Sequence, residues 1–317
     1  MKRLTGFQPT GRLHLGNLLG AMLPMIAAQE TNESLVFVAD LHAMTMDHDP
    51  ARLRELTLET ATLLLAAGLD PSRTTLFAQS SVPAHYELHY LLECATGYGE
   101  AARMIQFKEK SARGGPVRLS LLTYPVLMAA DILVHDSDEV PVGDDQNQHL
   151  ELARTVAERF NKRYGPTFRV PVGVLPAGVA RVMNLADPAA KMSKSAAGDV
   201  GRIGLLDPPA KVRKTIMRAV TDTLGEVRRD PVGQPGVTNL LTILEACGGS
   251  ADFTSYGALK TAVADAVEEM LAPIRARHAE LAKDPGHVRS VLDAGRERVL
   301  PTAEATVRRA KEAVGVY

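Results

Sequence analysis

At 317 residues the chain is longer than one hydrophobic core usually serves, so two or more structural units are expected. A hydrophobic share of 45%, a formal net charge of −1 and no apolar run of about 18 residues describe an ordinary soluble globular protein, not a membrane-spanning or uniformly basic one. Cys94 and Cys247 are the only cysteines, too few for a disulfide framework or a closed zinc site, and a reducing cytoplasm fits.

The N-terminus, Met1-Lys2-Arg3-Leu4-Thr5-Gly6-Phe7-Gln8-Pro9, runs from two basic residues straight into turn chemistry. That is not the apolar stretch of a secretory leader. Gly6 and the Pro9-Thr10-Gly11 turn separate a short strand from a helix expected to begin near His14. Such a helix start at the carboxyl edge of a parallel sheet offers free N–H groups to phosphate, with His14 and Asn17 as hydrogen-bond donors and Gly16 permitting close approach. Residues 34–39, Ser-Leu-Val-Phe-Val-Ala, form a short apolar run ending at Asp40, as a buried parallel strand would. Residues 50–67 carry leucines at helical spacing, with Asp49 as N-cap and Pro50 at the first helical position. Residues 74–78, Thr-Thr-Leu-Phe-Ala, predict a second strand before a polar Gln79-Ser80-Ser81 turn. Strand, helix, strand is a right-handed crossover unit, so the first half is expected to be α/β with a parallel sheet. From Pro208 onward strand signals fade and the composition predicts helix, with a boundary near 200–207.

Two lysines bracket small hydroxyls in Lys191-Met192-Ser193-Lys194-Ser195, a pattern able to neutralise polyphosphate as charge moves onto a leaving group. Together, His14-Leu15-Gly16-Asn17 and Lys191 to Ser195 resemble the two signature elements of the class I aminoacyl-tRNA synthetases. Between them, Leu122 to Leu133 sets Tyr124, Met128 and Asp131 on one helical face: a hydroxyl, a soft apolar surface and one carboxylate. An indole asks for that combination, an apolar slot with one acceptor for its one N–H. A capped helix with a buried polar pair would look the same in isolation. Then Val140-Pro141-Val142-Gly143-Asp144-Asp145-Gln146 supplies two β-branched walls, a glycine turn and polar residues opening the next helix. The stretch 122–161 is similar to tryptophanyl-tRNA synthetases almost residue for residue, as are residues 38–43, 106–111 and 180–185.

This resemblance implies that Asp131 accepts the indole N–H. It implies that Gln8, Tyr124 and Gln146 hold the amino group, that His42 lies near the carboxylate, and that Gly6, Met128, Val140 and Val142 line the slot. For ATP it implies Gln8, Pro9, Thr10, Gly16, Asn17, Gly143, Asp144, Asp145, Val182 and Lys191 to Ser195 (Lys191, Met192, Ser193, Lys194, Ser195). The catalytic group would be Lys191, Lys194, His14, Asn17 and Lys110, the last reaching the phosphates. Mg2+ would arrive with ATP, without a dedicated protein site. Leu4 and Ala39 stand where many relatives carry Phe and Val, so the slot is expected to be roomier and less aromatic; separately, Ala196 replaces the usual Asp after the lysine loop.

The fold so implied is a Rossmann-like parallel-sheet catalytic domain over residues 1–205, holding a dimer-interface segment near 80–160 and the lysine loop 191–195. A C-terminal α-helical, anticodon-binding domain over 206–317 would follow, its last helix able to pack back on the first. The partners implied are L-tryptophan, ATP, the tRNA for tryptophan and a second copy of the chain, with no membrane. Two alternatives stay open: a tyrosyl-tRNA synthetase, and a non-catalytic duplicate acting as a tRNA- or amino-acid-binding regulator.

Between Arg202 and Arg229, seven basic residues stand against Asp207, Asp222 and Glu226, an excess of about four that reads either as a solvated face or as a tRNA contact. Cys94 and Cys247 read as core fillers. His85 and His89, at i,i+4, could pair on a metal; without a third ligand they read as a partner-facing helix.

Overall fold

The computed structural model describes residues 1–112, 117–143, 146–174, 181–193, 200–250 and 252–317, without the side chain of Lys110. Five parallel strands, β1 (Lys2–Phe7), β2 (Glu33–Val38), β3 (Thr74–Ala78), β4 (Glu139–Pro141) and β5 (Val172–Val174), form one sheet in the order β3-β2-β1-β4-β5. Phe7 pairs with Val38 and Val38 with Ala78, so the first three strands end level. Helical turns α1 (Leu15–Asn17) and α2 (Leu23–Ala28) follow β1, joined by a π-helical stretch over Leu18–Met22. Next come α3 (Asp40–Ala43), α4 (Pro50–Ala66), α5 (Ala84–Cys94), α6 (Tyr98–Ala102), α7 (Ile105–Ser111), α8 (Leu119–Leu133) and α9 (Asn147–Tyr164). The C-terminal third holds α10 (Pro209–Met217), α11 (Pro235–Ala246), α12 (Tyr256–Leu281) and α13 (Pro285–Val314).

Alternation along β2 divides the core. Leu35 and Phe37 face one side of the sheet, where they join Leu4, Phe77 and buried residues of α5, α8 and α9. Val36 and Val38 face the other side and join Phe7, Leu18, Met22, Leu63 and Leu64. That second core does not stop at the sheet. It runs through Ile203, Leu205, Val212 and Ile216 into Leu240, Leu259, Val267 and Leu271, so the helical third shares apolar packing with the α/β part. The start of α4 is fixed as its sequence suggests, with the Asp49 carboxylate accepting from the Arg52 amide at 2.7 Å and Pro50 at the first turn.

The last helix returns to the sheet and covers the edge strand β3. A Cβ added to Gly295 of α13 would lie 1.9 Å from the Leu76 carbonyl oxygen, so only glycine allows this approach. Arg298 fastens the contact, donating to the Pro71 carbonyl at 2.7 Å.

Candidate active site

The strand order reverses direction between β1 and β4, and the crevice beyond the carboxyl ends of such strands is where open α/β sheets bind ligands. The sequence leaving β1 passes through Gln8 and Pro9 to His14, which sits at the N-cap of α1. The backbone N–H of His14 donates to Asn17 Oδ1 at 3.2 Å. Residues 203–205 strap this turn in place: Leu15 N–H donates to the Ile203 carbonyl at 2.9 Å and Leu205 N–H to that of Leu13 at 3.1 Å.

The start of the lysine segment packs against the same turn. Met183 bridges Lys191, and Met192 N–H donates to the Val182 carbonyl at 3.1 Å. Asn239 of α11 grips Met183 by both its N–H (2.8 Å) and its carbonyl (3.0 Å). Met192 is buried in one core with Leu15 and Val182, while Lys191 is exposed and Ser193 half-buried. A Cβ on Gly16 would meet the His14 ring at 3.1 Å and Met192 Cβ at 3.6 Å, so this glycine lets the two signature elements touch. Gln8 and Thr10 are exposed, and Pro9 is buried. Of the other phosphate-side candidates, Asp144, Asp145, Lys194 and Ser195 lie outside the described residues, as does the Lys110 side chain.

Asp131 of α8 is walled in by a buried polar cluster. Gln79 Nε2 donates to Asp131 Oδ1 at 2.7 Å, His85 Nδ1 lies 2.7 Å from the same oxygen, and His42 Nε2 lies 2.7 Å from Oδ2. Burial alone would raise the Asp131 pKa; the hydrogen bonds from His42 and His85 outweigh it and hold the carboxyl well below the usual carboxylate range. An ionised carboxylate can only accept, so all three neighbours present hydrogens to it. Among the described residues Oδ1 takes two hydrogen bonds and Oδ2 one. Behind His85, His135 Nε2 lies 3.1 Å from His85 Nε2.

Other proposed substrate contacts surround this wall. The Tyr124 hydroxyl donates to Gln106 Oε1 at 3.0 Å and lies 2.8 Å from His149 Nε2; burial, then Glu109, raises its pKa. The Tyr124 ring meets His42 edge-on at 6.3 Å. His42 Nδ1 is buried and has no partner among the described residues. Val140 and Val142 are buried and Met128 half-buried in the same core as Leu4 and Ala39. Gly6 has a different reason from substrate access alone, since a Cβ there would lie 2.6 Å from the Phe37 ring. Gln146 is half-buried just ahead of α9.

Three expectations need correction. His85 does not face a partner from α5: it is fully buried on Asp131, while His89 sits by Glu93. Cys94 is exposed rather than a core filler; Cys247 is half-buried, and burial pushes its thiol up to about 11. The basic excess of 202–229 is smaller in space than in sequence, because Asp265 of α12 pairs with Arg213 at 2.7 Å and Glu245 of α11 with Arg229 at 2.5 Å. Sequence reading missed Gln79, Gln106, His135 and His149 altogether, since each meets its partner across a long stretch of chain.

A family model described as class I tRNA synthetases (W and Y) matches residues 1–279. Tryptophan–tRNA ligase 1 of Streptomyces coelicolor is 55% identical, the match covering 98% of this chain and 96% of that protein. Tryptophanyl-tRNA synthetase from Mycoplasma pneumoniae superposes with a TM-score of 0.93 at 38% identity, over 100% of this chain and 98% of that one. The Campylobacter jejuni enzyme complexed with ADP and tryptophan gives 0.85 at 33%, over 100% of both chains. The chain belongs to the class I tRNA synthetases of the tryptophan and tyrosine group, and within that group to the bacterial tryptophanyl-tRNA synthetases.

Proposed function

We propose that this chain joins L-tryptophan to its tRNA in two steps, with Asp131 as the reader of the indole. In the first, a tryptophan carboxylate oxygen attacks the α-phosphorus of ATP; the new C–O–P bond forms as the bond to the β-phosphate breaks and pyrophosphate leaves. In the second, the 2′-hydroxyl of the terminal adenosine of tRNA attacks the mixed anhydride and AMP departs. No covalent enzyme intermediate is needed. Positioning and charge do the catalysis, with Lys191 and Lys194 meeting the negative charge that gathers on pyrophosphate, and His14, Asn17 and Lys110 on the phosphates.

The observation that carries the reading is the buried Asp131 carboxylate, whose Oδ2 takes one hydrogen bond, with His42, among the described residues and so keeps a lone pair for an indole N–H. An indole has one N–H and no acceptor, and Met128, Val140 and Val142 match its hydrocarbon faces. A tyrosine phenol would want a second polar partner, which those walls do not provide. The unpartnered His42 Nδ1 supports a role toward the substrate carboxylate, and the exposed Gln8 with Gln146 one toward the amino group. Mg2+ would accompany ATP, bound by its phosphates; Lys191 supplies positive charge at that end rather than a carboxylate ligand.

The helices after residue 206 would carry anticodon binding. Segment 80–160 would form a homodimer face: α5 there leaves Tyr86 and Tyr90 45% and 66% exposed, large apolar rings that a second copy would cover. Among the described residues no helix is long and apolar enough to cross a membrane, and a cytoplasmic location accords with the reaction. Amino-acid-dependent exchange of labelled pyrophosphate into ATP tests the whole reading. Exchange with tryptophan supports it, exchange with tyrosine instead selects the sister specificity, and none with either selects a non-catalytic binder.

A further inference from the structure

Resting on the reading of Asp131 as the indole reader, we infer that the turn between β3 and α5 is a positioning device for tryptophan recognition, in which Gln79 and His85 lock Asp131 Oδ1, His135 holds His85 from behind, and Oδ2 alone is offered to the substrate. The last torsion of an aspartate is soft, and a carboxylate left to itself sweeps both oxygens through a wide arc. Here three donors converge on it from three elements. Gln79 leaves the end of β3, His85 the first turn of α5, and His42 sits in α3.

Each donor is itself held. Gln79 Oε1 accepts from the Leu41 N–H at 3.1 Å, which fixes the amide so that its nitrogen faces Asp131. The neighbouring Ser80 N–H donates to Asp40 Oδ1 at 2.9 Å, so the β3 turn is also tied to the segment that presents His42. His85 is held by both ring nitrogens, between Asp131 and His135, and its ring lies 6.1 Å from those of Phe37 and Phe77. Gln79, His85 and His135 are all completely buried, so no water competes for these bonds.

His135 has no described part in the chemistry, and its position explains why it is there. Burial, then the adjacent His85, pushes its pKa well below the ordinary histidine value and keeps the ring neutral. Its Nδ1 is buried and has no partner among the described residues. With the ring hydrogen on Nε2, His135 donates to His85 and leaves only a lone pair at that orphan position; the other tautomer would strand an N–H, the costlier error. The consequence is specificity rather than mere stability. A locked Oδ1 makes Oδ2 a fixed acceptor that rewards an N–H and penalises a ring with sulfur in its place.

The test is pyrophosphate exchange on the full-length protein, with kcat and KM measured for tryptophan and for its benzothiophene analogue. His85→Leu should raise KM for tryptophan about ten-fold with kcat little changed, and narrow the preference over the analogue by a similar factor. His85→Asn places an amide N–H where Nδ1 stood and should restore most of the preference, a rescue no purely structural role predicts. His135→Phe, an apolar ring set beside Phe77, should narrow it by a few fold, and it carries the test with His85→Asn if His85→Leu does not fold. Asp131→Ala separates two failures. A preference unchanged in Asp131→Ala overturns the Asp131 reading itself. A preference lost there but intact in His85→Leu and His135→Phe overturns the positioning device alone. Equal losses in His85→Leu and His85→Asn would overturn it too.

Discussion

The two sides of this site are built on opposite plans. On the side proposed for the amino acid, Asp131, His42, His85, Gln79 and His135 are buried, mutually hydrogen-bonded and backed by Phe37 and Phe77. On the side proposed for the nucleotide, Thr10, Gly143 and Lys191 are exposed, while Met192 and His14 are buried. The difference teaches a division of labour. Reading a ring with one N–H requires an acceptor fixed to within a fraction of an ångström, which only a satisfied, dry network provides. Meeting charge that appears only in the transition state requires cations that reach the phosphates, and a rigid wall would not help.

The contrast is broken hardest from the nucleotide side. Lys194→Ala should slow adenylate formation about one-hundred-fold, since loss of one such contact commonly costs ~3 kcal/mol of barrier. Thermal unfolding should move little beside the loss of rate. A rapid-quench measurement alongside a melting curve checks both halves of that statement, and normal activation kinetics would remove the lysine loop from the mechanism.

Asp131→Ala should do damage of both kinds. Losing a hydrogen bond to a charged group costs about 1.5–3 kcal/mol, so kcat/KM for tryptophan should fall roughly 10- to 150-fold. Unlike the lysine variant, it should also lower the melting temperature, because His42, His85 and Gln79 are left buried without their acceptor. A variant as stable as the parent would mean the network relaxes, and the contrast between the two sides would lose its basis.

A smaller effect appears in the pH dependence of folding. The folded-state pKa of His135 is depressed, so its contribution is fully present above the unfolded histidine value near ~6.5 and lost as pH falls below it. Asp131 is depressed as well, but its contribution fades only below the unfolded aspartate value of ~3.9, outside the window between ~pH 6.5 and ~5, which His135 shares with the likewise depressed His278. In that window His135→Phe should flatten the fall in stability by up to ~1.4 kcal/mol per pH unit. Identical slopes in denaturant titrations of the two proteins would show that His135 accepts a proton in place.

The smallest effect concerns tRNA. Arg213 and Arg229 are paired with Asp265 and Glu245, so the remaining excess falls on residues such as Lys214 and Arg218. Replacing both by Gln should weaken tRNA binding modestly and flatten its salt dependence while adenylate formation stays normal. Equal loss of both activities would make the patch structural.

Much of the frame could be read from the chain. The apolar runs at 34–39 and 74–78 appear as β2 and β3, and the Asp49-Pro50 signal starts α4. Those features are local, and local chemistry decides them. The short strands β4 and β5 gave no comparable signal: three residues each, one of them Pro141, hold their place only by pairing with neighbours far along the chain. The site divides in the same way. Asp131 and Tyr124 announce themselves by helical spacing, but Gln79 looks like a turn residue and His85 like half of an i,i+4 pair with His89. Nothing near His85 in sequence points to Asp131, 46 residues on, and although His135 follows Asp131 closely in the chain, the partner it holds is His85, 50 residues away. Likewise Asp265 and Glu245, which temper the basic stretch, enter from other helices.

In the proposed site, recognition of the ring and stabilisation of charge belong to separate structures. Equilibrium binding of tryptophan, measured by calorimetry on Asp131→Ala and Lys194→Ala in parallel, tests it most directly. Binding should weaken roughly ten-fold or more in Asp131→Ala and stay unchanged in Lys194→Ala. Tryptophan affinity lost equally in both, or retained in Asp131→Ala, would contradict it.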